Sequence, residues 1–126
     1  MAPRTILLDF DSTVVYNRSP FIGEEIEHCV DVLRRLLQAG HQLVLYTMRT
    51  DNLEDDAMEW FRNRQIEIKY VNCNPEYETG SRKVYGHIIL DDKALGIPLV
   101  FDPEVSQKPF VDWYKVEELL IQKNYL

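Results

Sequence analysis

The stretch Thr5-Ile6-Leu7-Leu8-Asp9-Phe10-Asp11-Ser12-Thr13 is an apolar run that stops abruptly at a carboxylate, with a second carboxylate two residues on. A short, continuously apolar segment is what a strand buried on both faces requires. Two further segments repeat the pattern. Gln42 to Thr47 carries Leu43-Val44-Leu45-Tyr46 and ends in a hydroxyl, and His87 to Leu90 runs into Asp91-Asp92. Between the first two of these, Ile26, Cys29, Val30, Leu33, Leu36 and Leu37 recur at helical spacing. Glu24 and Glu25 are placed to complement that helix's N-terminal dipole, and Gly40 to close it.

Asp51 and Glu54 resemble a capping box ahead of a second helix, whose Leu53, Ala57, Trp60 and Phe61 share one face. Ile66, Ile68 and Tyr70 alternate with polar residues, as in a less buried strand. Val14–Gly23 and Asn72–Ser81 read as connections, Pro98–Phe101 as a short last strand, and Asp112–Lys123 as a closing helix. Strands alternating with helices favour an α/β domain with a parallel sheet and right-handed crossovers. At 126 residues, one domain spanning 1–126 is expected, large enough to bury a core without disulfides or a structural metal.

In an open parallel sheet, ligands bind beyond the carboxyl ends of the strands. Asp9, Asp11, Thr47, Asp91 and Asp92 all fall there, with Lys83 just upstream of the strand ending at Leu90. Carboxylates crowded on one edge raise each other's pKa unless a cation neutralises them. Mg2+, a hard ion with oxygen ligands that also takes phosphate oxygens, suits that set. His28, His41 and His87 are scattered, and Cys29 and Cys73 lack metal-ligand spacing. A carboxylate can attack phosphorus and form an aspartyl-phosphate. Thr47 and Lys83 would stabilise charge on a transferring phosphoryl group. Arg49 is a further candidate for a substrate anion, and pairing with an acid is its commoner fate. Tyr16, Asn17 and Arg18 lie in the loop expected over the site, and Lys93 beside the acids would screen them.

The formal net charge of −7, from 21 acidic and 14 basic residues, repels long nucleic acid in the absence of a gathered basic patch. The brief apolar N-terminus and the lack of any long apolar segment lead to the expectation of a cytoplasmic protein with no membrane partner.

Four motifs in order carry a resemblance. Leu7-Leu8-Asp9-Phe10-Asp11-Ser12-Thr13, Leu43-Val44-Leu45-Tyr46-Thr47, Lys83, and Ile88-Ile89-Leu90-Asp91-Asp92 together resemble the haloacid dehalogenase superfamily, in its small capless form. The likeness implies a Rossmann-like three-layer α/β/α fold with strand order 5-4-1-2-3 and no cap domain. It implies a Mg2+-dependent phosphohydrolase, a phosphatase acting on a small phosphorylated substrate. Asp9 would be nucleophile and metal ligand. Asp11 would bind the metal through its backbone carbonyl and act as general acid and base. Thr47 and Lys83 would hold phosphate, and Asp91 and Asp92 would complete the metal set. Ser12 departs from the family, which usually has Gly there. Without a lid the site would be open unless a neighbouring subunit in a homo-oligomer covers it. Two other functions share parts of this pattern: a phosphoacceptor domain like response-regulator receivers, and a non-catalytic phosphate-binding module. In receivers the acidic pair precedes a separate phosphorylated Asp on a central strand, an order this chain does not follow.

Overall fold

The computed structural model describes residues 2–77 and 79–126. Four parallel strands form the central sheet: β1 (Thr5–Leu8), β4 (Gln42–Leu45), β5 (Tyr70–Val71) and β6 (Ile88–Leu90), in the order β5-β4-β1-β6. The register sets Ile6 beside both Leu43 and Ile88, and Leu8 beside both Leu45 and Leu90. Three helices accompany it, α1 (Cys29–Gln38), α2 (Asp51–Asn63) and α3 (Trp113–Gln122). The α/β reading and the parallel sheet hold.

Side chains alternate across a strand, so the register divides the apolar residues between two faces. Ile6, Leu8, Leu43, Leu45 and Leu90 join one buried cluster with Leu33 and Leu36 of α1, Ala57 and Phe61 of α2, and Trp113, Val116 and Leu120 of α3. All three helices therefore lie over one face. Leu7 and Val44 point the other way and are buried outside that cluster, while Ile89 on the same side is half exposed. Leu7 is covered by the connection between β5 and β6, whose described residues include a 3-10 turn at Pro75–Tyr77. Gly86 lies so close that an added Cβ would stand 2.6 Å from Leu7 Cγ, so only glycine lets this backbone lie flat on the sheet. The expected third, helical layer is thus replaced by a loop, because residues 72–87 carry no helical apolar stripe.

Several local expectations are corrected. Residues 14–23 are not a plain connection: β2 (Val15–Arg18) and β3 (Phe21–Glu25) form an antiparallel hairpin turning at Ser19-Pro20. Glu24 and Glu25 belong to β3, and α1 begins only after His28, whose φ of 72° breaks the chain direction. The alternating segment Ile66–Tyr70 pairs only at Tyr70–Val71, with Ile66 buried below it. At α2 the N-cap is Thr50 and no side chain caps it, so the expected box of Asp51 and Glu54 does not form. β7 (Leu99–Val100) does not extend the main sheet. It pairs antiparallel with β8 (Phe110–Val111), leaving β6 at the edge and the fifth place unfilled. The closing helix is capped as its sequence suggests, Asp112 accepting the backbone N–H groups of Tyr114 and Lys115. Among the described residues, no helix is long and apolar enough to cross a membrane.

Candidate active site

β1 and β6 deliver their carboxylates to the same edge because they are adjacent and parallel. The Asp9 N–H donates to Leu90 O at 3.0 Å, carrying the pairing one step past both strands. Asp9, Asp91 and Asp92 each place a carboxylate oxygen within 4.8 Å of the others. Burial first, then a hydrogen bond shared with Asp92 and the charge of Asp91, push the Asp9 carboxyl up to about 8, against opposing bonds from Thr13 and the Phe10 backbone. Without a counter-ion this carboxyl holds a proton at neutral pH.

Thr13 is the hub of the cluster. Fully buried, its hydroxyl donates to Asp9 Oδ2 at 2.9 Å and accepts the Asp92 N–H at 3.0 Å. Its position follows from a tight turn in which the Val14 N–H reaches back to Phe10 O at 2.7 Å. The buried Trp113 indole donates to Thr13 O at 2.7 Å, so the closing helix grips the same turn from below. Ser12 occupies the left-handed region at φ 65°, which explains why glycine would suit this place, and its buried hydroxyl has no hydrogen-bond partner.

Asp11 is expected to meet a metal through its backbone carbonyl, so its carboxylate need not join the cluster. Its carboxylate stands outside the cluster and is clamped by Arg49, Nε to Oδ2 and Nη2 to Oδ1, both at 2.8 Å. Arg49 is buried, and it also donates to Pro20 O at 3.3 Å and Phe21 O at 3.0 Å. Arg49 takes its commoner fate, pairing with an acid: its Nε, Nη1 and Nη2 donate to Asp11 and the hairpin turn. The guanidinium prefers a bidentate carboxylate, and the tight turn after β1 puts Asp11 within its reach.

Thr47 is half-buried at the end of β4, and its Oγ1 accepts the Arg49 N–H at 3.2 Å, leaving its hydroxyl proton uncommitted to that bond. Asn72, in the left-handed region at φ 54°, locks the Thr47 backbone by accepting its N–H and donating to its C=O, both at 2.9 Å. Lys83 is exposed on the 72–87 loop and pairs with no carboxylate of a described residue. Lys93 lies 3.9 Å from Asp92 Oδ2, the screening contact expected of it. The three carboxylates fit a hard divalent cation: they are oxygen donors, mutually close, and burial with the neighbouring acids pushes one of them well up.

No family model matches the chain, and no curated protein does. Among solved structures, a conserved protein from Bacteroides thetaiotaomicron is similar, with 36% identity, a TM-score of 0.80, and coverage of 97% of this chain and 93% of that one. This chain belongs to the same family as that conserved protein.

Three contributors carried no assigned role in the sequence. Thr13 stood inside a quoted motif, and its signal was a hydroxyl four residues after Asp9 in a tight turn. Trp113 read only as part of the closing helix, and Asn72 only as a loop residue. A second group, His28, Asp31 and Glu117, also gathers its ligand atoms within 4.8 Å. It is already satisfied: Arg35 pairs with Glu117 and lies 3.9 Å from Asp31, and His28 stacks on Tyr114 with ring centroids 4.3 Å apart. The Cys29 thiol, pushed well up by burial, belongs to the core of α1.

Proposed function

We propose that this chain is a Mg2+-dependent phosphohydrolase of the haloacid dehalogenase type, acting on a phosphomonoester through an aspartyl-phosphate on Asp9. The observation that carries the reading is the triad of Asp9, Asp91 and Asp92, brought together at the carboxyl edge of the sheet, with the Asp9 carboxyl pushed up to about 8 by burial and by its neighbours. A half-buried carboxyl with that much opposition to charge is a poor structural element, and a good nucleophile once a cation lets it ionise. The sheet order supports the reading, since Thr47 and Asp91 leave the two strands that flank β1.

When bound between Asp9, Asp91 and Asp92, the cation would supply positive charge that offsets these carboxylates and the oxygens of a phosphate ester. Thr13 fixes the rotamer of Asp9, so that one carboxylate oxygen is free to attack phosphorus as the ester oxygen departs. Thr47, which leaves the strand beside β1, and Lys83 would donate to the equatorial oxygens. Asp11, an ion-paired carboxylate at rest, would take up a proton on turning from Arg49, pass it to the departing alcohol, and take one from the water that cleaves the acyl-phosphate. Both tasks require its carboxylate to turn from Arg49 toward the reacting oxygens, so Arg49 sets its resting orientation.

Turnover of a chromogenic phosphate ester tests this. Continuous release with Mg2+, silence after chelation, and loss in Asp9→Asn are expected. Mg2+-independent turnover, or near-normal rates in Asp9→Asn, would refute the reading. A stable stoichiometric acyl-phosphate without turnover would favour a receiver-like phosphoacceptor instead.

A further inference from the structure

The three most exposed large hydrophobic side chains described each belong to a segment that carries a residue of the candidate site. Phe21 is 76% exposed, Met48 is 96% exposed, and Leu95 is completely exposed, more than any other large hydrophobic residue described. They sit on three different loops, and each is tied to the candidate site. Phe21 lies at the hairpin turn and its carbonyl accepts from Arg49, the residue that clamps Asp11. Met48 separates Thr47 from Arg49 just beyond β4. Leu95 caps the turn that leaves Asp91, closed by the Ala94 N–H bonding Asp91 O at 3.0 Å. Scattered exposed hydrophobics are ordinary; the three most exposed ones each adjoining, in the chain or by a backbone bond, a residue of one candidate site are not.

We infer that this rim binds the non-phosphate part of the substrate, and that the substrate is a phosphomonoester of a bulky apolar or aromatic alcohol. The inference rests on the phosphohydrolase reading above. Three side chains offer on the order of 400 Å² together, far below the roughly 800 Å² per partner of a stable protein interface. That area suits a small apolar group. The net charge of −7 further disfavours a polyanionic macromolecule at this edge.

The test is a series of 4-alkylphenyl phosphates, from phenyl to 4-butylphenyl, whose leaving groups differ little in acidity. With Mg2+, kcat/KM should climb about two- to fourfold per added methylene in the wild-type chain. In the triple variant Phe21→Ser, Met48→Ser, Leu95→Ser the ratio of 4-butylphenyl to phenyl phosphate should fall to near one. A flat wild-type series, or an undiminished ratio in the variant, would overturn the inference while leaving the phosphohydrolase reading intact. Binding of alkylphosphonates by calorimetry separates the two further. If no ester turns over but affinity still rises with chain length, the catalytic reading fails and the apolar rim stands; affinity independent of chain length overturns the rim. Sedimentation of both proteins supplies the last arm, because a wild-type dimer that the triple substitution dissolves would reassign these residues to a second copy and refute a substrate role.

Discussion

Asp9→Asn should make the metal-free protein more stable at alkaline pH, although it removes the proposed nucleophile. The sign follows from the crowding. In the unfolded chain Asp9 titrates near 3.8, while in the folded chain burial, Asp92 and Asp91 raise it to about 8. Between these values the folded state holds a proton that the unfolded state has lost, so stability falls as pH rises through that window. The side chain is largely buried, so solvent screens this only in part. About four pH units at about 1.4 kcal/mol each set a ceiling on the order of 5 kcal/mol, developed fully above pH 8 and absent below pH 4. For a domain of this size one kcal/mol moves Tm by roughly 3–5 °C. Thermal unfolding of both proteins in chelator, from pH 5 to 9, reads the effect as a gap that widens in favour of Asp9→Asn. Saturating Mg2+ should close the gap by stabilising the wild-type chain at pH 8 far more than the variant. Parallel curves across the pH range would refute the claim that Asp9 is forced to hold a proton.

Three other substitutions probe the supports of the site. Arg49→Met should cost about 3 kcal/mol in denaturant unfolding, because it leaves the Asp11 carboxylate and two hairpin carbonyls without their donor; a loss below 1 kcal/mol, or no coupling with Asp11→Asn in a double-mutant cycle, would show that the clamp does not hold the hairpin. Ser12→Gly should stabilise by about 1 kcal/mol, since it relieves a left-handed serine and removes a buried hydroxyl without a partner, against the added freedom of glycine in the unfolded chain; chemical denaturation showing a loss would contradict this. Trp113→Phe keeps a ring in the core but strips Thr13 O of its donor, and should cost about 1–2 kcal/mol and lower kcat; unchanged turnover would separate the indole from the site.

The parts legible in the sequence are those where one local rule acts without competition. Leu7-Leu8-Asp9 and Ile89-Leu90-Asp91 are apolar runs ended by acids, and buried parallel strands follow from them almost directly. The hairpin escaped because Val15–Arg18 and Phe21–Glu25 mix polar and apolar residues without clear alternation, and its order comes from Arg49 reaching across to Pro20 and Phe21. Helix α1 was expected to begin too early, since Ile26 shares the helical spacing of Cys29 and Leu33; only the left-handed turn at His28 separates them, and sequence spacing does not report a dihedral angle. Leu99-Val100 reads as a strand and is one, yet its partner is Phe110-Val111. Strand existence is a local property, but pairing depends on what lies nearby in space. In the site, the convergence of Asp9, Asp91 and Asp92 was readable from their strand ends. The partnership of Asp11 with Arg49 was not, for thirty-eight residues separate them and each had several other plausible fates.

The turn from Phe10 to Val15 is held from every side. Val14 bonds back to Phe10, Val111 donates to Ser12 O, Trp113 donates to Thr13 O, and Arg49 holds Asp11. Such redundancy is what the crowded carboxylates require, because a loose turn would let Asp9 swing from Asp91 and Asp92 and shed its unfavourable position. The two kinds of substitution therefore differ in sign. Removing charge from the cluster, as in Asp9→Asn, should raise metal-free stability and abolish turnover, whereas loosening the turn, as in Trp113→Phe, should lower both. A protein in which these carboxylates merely capped a turn would lose stability in both cases, so the opposite signs distinguish a site held under electrostatic load from an ordinary bend in the chain.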